Sequence, residues 1–163
     1  MKILYNIRKQ LDLDAIYQKV MAGEGELRPG REWAEASRAQ YTLRAGQQVY
    51  PGAQWRFFYK QDLELGDHPW RIPDVSAYHW WIVRLDPGCV FPLHTDTFEH
   101  ASARRLWVPL TPPQPGHIFQ LAGENIDQFV VGDVYEFNDK DLEHGAANFA
   151  HTPKITLQIV TYE

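Results

Sequence analysis

The sequence predicts a mainly β fold, a jelly roll preceded by a short helical flank. Three observations predict it. Aromatic residues make up 13% of the chain, with six Trp and eight Tyr, and rings of this kind favour strands. Eleven Gly and eleven Pro supply turn-formers along the whole length. From residue 54 onward, roughly eight short alternating segments follow one another between those turns, the spacing of a sandwich or closed barrel.

The elements come in order. Asp12 or Asp14 can cap a helix through residues 15–21 that stops at Gly23. Residues 22–52 are polar and Gly-rich, with a second helix expected near 33–38. Strands are expected at 54–59, 77–85, 90–96, 104–110, 117–121, 128–131, 134–137 and 154–162. Pro87-Gly88, Pro112-Pro113, Pro115-Gly116 and Gly132-Asp133 separate most of them. With 163 residues, no internal repeat and no long linker, one domain is expected: a flank over 1–53 and a core over 54–163.

Composition narrows the function classes. Sixteen Lys and Arg stand against twenty-one Asp and Glu, a net charge of −5 that disfavours a duplex nucleic-acid binder. No apolar run is long enough to span a bilayer, and the opening six residues are too polar for a signal-peptide core, so a cytoplasmic protein is expected. A single cysteine, Cys89, forms no internal disulfide and no thiolate zinc site alone. Oligomeric state leaves no trace in the sequence.

His94-Thr95-Asp96 is the first constellation with chemistry in it. On a strand, residues two apart share a face, so imidazole and carboxylate can share one metal. Seven His and twenty-one acids yield about one such pair by chance, so the motif needs company. His144, fifty residues on, provides it, because two His and one carboxylate with open positions make the facial triad of non-haem Fe(II) oxygenases. His151 is the rival third ligand. On the last strand Lys154, Thr156 and Gln158 share one face and Ile155, Leu157 and Ile159 the other. The polar stripe either faces solvent, as on most half-buried strands, or lines a pocket for an anion. Arg105, on a strand with Trp107, is a second candidate for a carboxylate or a solvent-facing charge.

Two stretches resemble the aspartyl/asparaginyl β-hydroxylase family of Fe(II)/2-oxoglutarate-dependent oxygenases. The first is Arg84-Leu85-Asp86-Pro87-Gly88 with Pro92-Leu93-His94-Thr95-Asp96. The second is Gly132-Asp133-Val134-Tyr135-Glu136-Phe137, then His144, Asn148 four later and Lys154 ten later. The resemblance covers about residues 78–162. It implies a double-stranded β-helix, that is, a cupin-like jelly roll, with iron held by His94, Asp96 and His144. Lys154 falls where the family usually has an arginine for the distal carboxylate of 2-oxoglutarate, and Arg105 matches an arginine that helps hold the same cosubstrate. Trp107 stands where the family commonly has a His. The implied reaction consumes O2 and 2-oxoglutarate, hydroxylates an unactivated C–H of an amino-acid-like small molecule or peptide side chain, and releases succinate and CO2. Two alternatives stand beside it. One is a cupin-like metalloenzyme that does not use 2-oxoglutarate. The other is a metal-free jelly-roll binding module that stacks ligands on Trp70, Trp80, Trp81 and Trp107. Residues 24–48 and 97–103 are the candidate lid segments.

Overall fold

The computed structural model describes residues 1–29, 41–43, 54–96, 104–137 and 142–161. Twelve strands among them form two sheets. The core strands are β5 (Tyr78–Leu85), β6 (Val90–Asp96), β7 (Arg104–Pro109), β8 (His117–Leu121), β9 (Glu124–Ile126), β10 (Asp133–Glu136), β11 (His144–Asn148) and β12 (Lys154–Thr161). The flank adds β1 (Lys2–Asn6), β2 (Glu26–Pro29) and β3 (Tyr41–Leu43), with β4 (Gln54–Phe58) at the boundary. The seven-stranded sheet runs β1-β10-β7-β12-β5-β4-β2, and the five-stranded sheet runs β3-β6-β11-β8-β9. Reading β5 to β12 as eight consecutive strands, they alternate between sheets except at the β8–β9 hairpin, and every pairing within them is antiparallel. That winding is a jelly roll, the double-stranded β-helix of cupin-like proteins.

Helix α1 (Leu13–Ala22) forms as its cap requires. Asp12 accepts from the Ala15 amide at 3.1 Å, and Gly23 ends the helix. Its Ile16 and Val20 bury against the outer face of the seven-stranded sheet, joining Phe58, Trp70, Trp80, Ile82, Leu157 and Ile159. Arg84 fastens this layer. It forks onto Asp86 at 2.9 and 3.1 Å and donates at 2.8 Å to the Val20 carbonyl at the helix end. A short helix α2 (Lys60–Leu63) follows β4.

The flank belongs to the sheets more than its sequence suggests. β1 pairs with β10, and the Ile7 amide donates to the Gly132 carbonyl at 2.8 Å. Gly132 sits at φ 83°, and a Cβ there would fall 2.6 Å from the Arg8 side chain, so glycine is what lets the two segments meet. The helix expected near 33–38 and the lid segment 97–103 lie outside the described residues, as does most of the other lid segment.

Three strand expectations change. Residues 128–131 are not a strand: the Val130 amide donates to the Tyr135 hydroxyl at 3.1 Å instead of to a neighbouring strand, and Val130 is exposed. β9 forms earlier, where Ala122 and Gly123, both at positive φ, turn β8 back on itself. β11 was not expected, because His-Gly-Ala-Ala-Asn has little intrinsic strand preference. It is held by pairing with β6 on one side and β8 on the other. No helix among the described residues is long and apolar enough to cross a membrane.

Candidate functional site

A cavity opens between the sheets, and both contribute to it. From the five-stranded sheet come Phe91, His94, Phe119 and His144; from the seven-stranded sheet come Phe57, Trp81, Arg105, Trp107, Lys154, Thr156 and Gln158. Its walls belong to two apolar clusters, one around Trp55, Phe57, Val83 and Leu85, the other around Trp107, Phe119, Phe129 and Phe137.

His94 and His144 meet here because β6 and β11 are neighbours with these residues directly opposite one another. Their ring centroids lie 4.3 Å apart, and both side chains are buried. Phe91 packs on His94 at 5.0 Å and Phe137 on His144 at 5.0 Å. His144 Nδ1 lies 3.1 Å from the Leu142 carbonyl, which can only accept, so Nδ1 carries the proton and Nε2 keeps its lone pair. A metal-binding imidazole is commonly oriented this way. Asp96 lies two residues beyond His94 on β6, its backbone opposite Tyr41, and its side chain lies outside those described. Among the described side chains no group of three or more His, Cys, Asp and Glu gathers to hold a metal ion. His151, the rival ligand, is exposed and does not line the cavity.

The polar stripe of β12 faces inward. All eight residues of the strand are buried: Ile155, Leu157 and Ile159 on the helix side, and Lys154, Thr156 and Gln158 on the cavity side. Gln158 Nε2 donates to Thr156 Oγ1 at 3.0 Å, which ties the stripe together. Lys154 is only 1% exposed. Its ammonium donates to the Ile118 carbonyl and stands 5.8, 6.0 and 5.9 Å from the ring centroids of Trp107, Phe119 and Phe129. Burial pulls Lys154 down from the usual lysine range to about 7. Arg105 lies elsewhere along the cavity. It is register-opposite Val160, six residues along β12 from Lys154, and its guanidinium stacks 4.8 Å over the Trp81 ring.

Asn148 holds the approach to β12. Its amide donates to the carbonyls of Leu85 and Thr152 at 2.8 and 2.9 Å, and its oxygen accepts from the Ala150 amide at 3.0 Å. The tryptophans do not make one platform. Trp70 and Trp80 pack together on the outer side of the sheet, centroids 4.9 Å apart, while Trp81 and Trp107 line the cavity.

The structure thus unites His94, His144, Lys154 and Arg105 in one cavity. Trp81 and Trp107 stood out in the sequence as stacking candidates, but Phe57, Phe91, Phe119 and Phe129 carried no sequence signal, since rings on strands are ordinary core residues. His117, wholly buried and donating from Nε2 to the Thr152 carbonyl at 3.2 Å, also went unmarked; its burial pulls it below the usual imidazole range.

No family model and no curated protein matches the sequence. Solved structures are similar in fold. A putative sugar phosphate isomerase from Acidithiobacillus ferrooxidans is 13% identical, with 90% of this chain and 72% of that one covered and a TM-score of 0.48. A predicted oxalate decarboxylase from Thermotoga maritima is 16% identical over 74% of this chain and 87% of that one, TM-score 0.44. KdgF from Halomonas sp. is 18% identical over 72% and 84%, TM-score 0.42.

Proposed function

We propose that this chain is an Fe(II)/2-oxoglutarate-dependent oxygenase, similar to the aspartyl/asparaginyl β-hydroxylases, that hydroxylates a C–H bond of an amino-acid-like small molecule or peptide side chain. One observation carries the reading: two buried imidazoles side by side on one sheet share a cavity with a buried lysine on the other. The residues suit the group. The contact of His144 Nδ1 with the Leu142 carbonyl orients its ring as a metal-binding imidazole's would be, and His94 stands beside it.

His94, His144 and Asp96 would hold the iron, two neutral nitrogens and one carboxylate leaving positions for other ligands. Lys154 would neutralise one carboxylate of 2-oxoglutarate, and Arg105 another negative group in the same cavity. Iron and 2-oxoglutarate together would supply the oxidation, consuming O2 and releasing succinate and CO2. The protein's own part is positioning. Phe57, Trp81, Phe91 and Phe119 give the cavity apolar walls, which would strengthen charge–charge contacts with a bound anion. Gln158 and Thr156 offer hydrogen bonds on the β12 side of the cavity.

The test is turnover. Protein reconstituted with Fe(II) without air and then exposed to O2 should convert labelled 2-oxoglutarate to succinate, faster with amino acids or short peptides that serve as substrate. Stoichiometric metal without any 2-oxoglutarate binding or turnover would leave the chain a metal cupin of another chemistry. Absence of metal binding would leave a jelly-roll binding module.

A further inference from the structure

Lys154 is a cation placed where a cation is hard to keep. It is 1% exposed, its hydrogen bond runs to a backbone carbonyl, and three aromatic rings surround it. Among the described residues no carboxylate pairs with it. Among the described residues, the titratable and charged side chains that share the cavity with it or press on its charge are imidazoles or share its sign: His117 on β8, His94 on β6, His144 on β11 and, farther along, Arg105 on β7. β5 presents only Val83 and Leu85 to the cavity besides Trp81, and the 127–131 segment sets Phe129 against the ammonium. A buried ammonium with no counter-ion loses its proton more easily than it stays charged.

We infer that the Lys154 end of the cavity is a proton-linked anion site, in which above neutral pH the empty protein holds a largely neutral amine and a carboxylate binds together with a proton taken from solvent onto Nζ. The inference rests on the proposed function only for naming 2-oxoglutarate as that carboxylate. Burial alone sets the value of about 7, and an arriving anion returns the group toward the ordinary lysine range. Lysine makes this possible. An arginine in the same place would stay charged at every accessible pH and bind its anion without proton exchange.

Calorimetry of 2-oxoglutarate binding to the Mn(II)-loaded protein tests it, at pH 7, 8 and 9, in two buffers of different ionisation heat. Kd should rise about fivefold from pH 7 to 8 and about ninefold from 8 to 9, with about half a proton taken up per ligand at pH 7 and close to one at pH 8 and 9. In Lys154→Arg the same range should be nearly flat. Tight binding that neither weakens with pH nor takes up a proton overturns the inference and leaves the oxygenase reading standing. If 2-oxoglutarate fails to bind at any pH, the oxygenase reading falls, and NMR of the metal-free wild type decides the inference. In that measurement the Lys154 side-chain signal should titrate near 7 and move upward on adding succinate. Titration in the ordinary lysine range overturns the inference. The same measurement decides if Lys154→Arg does not fold.

Discussion

The five-stranded sheet gives the cavity two imidazoles, His94 and His144, while the seven-stranded sheet gives it basic and hydrogen-bonding side chains, Lys154, Arg105, Thr156 and Gln158. The imidazoles are placed by cross-strand register, His144 on the short β11, whose Gly145, Ala146 and Ala147 are small. The polar group opposite sits on β12, the most completely buried strand, paired along most of its length on both sides. Weak local propensity is tolerable where two neighbours fix the register. A buried charge needs the stiffest part of the sheet to hold it. Changes on the two sheets should therefore have separable effects.

The largest separation is expected from His144→Ala or His94→Ala. Each removes a nitrogen while alanine still suits the strand, so the fold should persist. Metal affinity should fall by more than about a thousandfold, beyond the ten- to hundredfold that follows loss of a supporting hydrogen bond. His151→Ala should keep its metal, because His151 is exposed and away from the cavity. Metal content after dialysis, with circular dichroism on the same samples, checks this. Full metal in both imidazole variants would break the comparison.

Next in size is Lys154→Met, which keeps the stem volume and discards the charge. The folded protein holds Lys154 near 7 against 10.5 for the free side chain. Between those values the unfolded chain carries a proton that the folded one lacks, so stability rises with pH across roughly 7 to 10.5. Below 7 both states are protonated and the cost of burying the charge is complete, about 5 kcal/mol at ~1.4 kcal/mol per pH unit. Lys154→Met should therefore be more stable than wild type at pH 7 by about 2–4 kcal/mol, with the gain shrinking toward pH 10. Metal binding should stay unchanged. Urea unfolding at pH 7 and 10 on the metal-free proteins is the measurement, and a destabilised variant at pH 7 would contradict it. A residue retained at a cost to stability is what a binding site looks like.

Much of this was legible in the sequence, and for reasons that can be named. A cap at Asp12 or Asp14, the stop at Gly23 and the strands β6 and β8 follow from local chemistry; the structure puts the cap at Asp12 and has the others at those places. His94 and His144 were legible as a pair because metal-binding residue types at suitable spacing are few in a chain with seven His. The direction of the Lys154 stripe was not legible. Alternation separates two faces of a strand without saying which meets water, and here neither does. β11 was hidden by its small residues, and β1, β2 and β3 by their shortness and by pairing that depends on distant partners. The position of Arg105 relative to Lys154 depends on the pairing of β7 with β12, which no local pattern encodes.

The smallest effect tests the seven-stranded sheet within itself. Arg105 and Trp81 lie on β7 and β5, both neighbours of β12, and the guanidinium stands 4.8 Å over the indole. Such a contact contributes about 1 kcal/mol when partly shielded from water, through the ring quadrupole and the planar fit of the two groups. Its effect is to hold the guanidinium in a fixed direction along the cavity. Trp81→Leu keeps an apolar wall and removes the ring; Arg105→Met keeps the stem and removes the charge. Each single change also alters packing, so only the pair isolates the contact. A double-mutant cycle on thermal or urea unfolding should return a coupling of about 0.5–1.5 kcal/mol. Metal affinity should be the same in all four proteins, since neither residue is on the imidazole sheet. A coupling indistinguishable from zero would mean that the stacking does not hold Arg105 in place, and of the two basic side chains only Lys154 would then be fixed in the cavity.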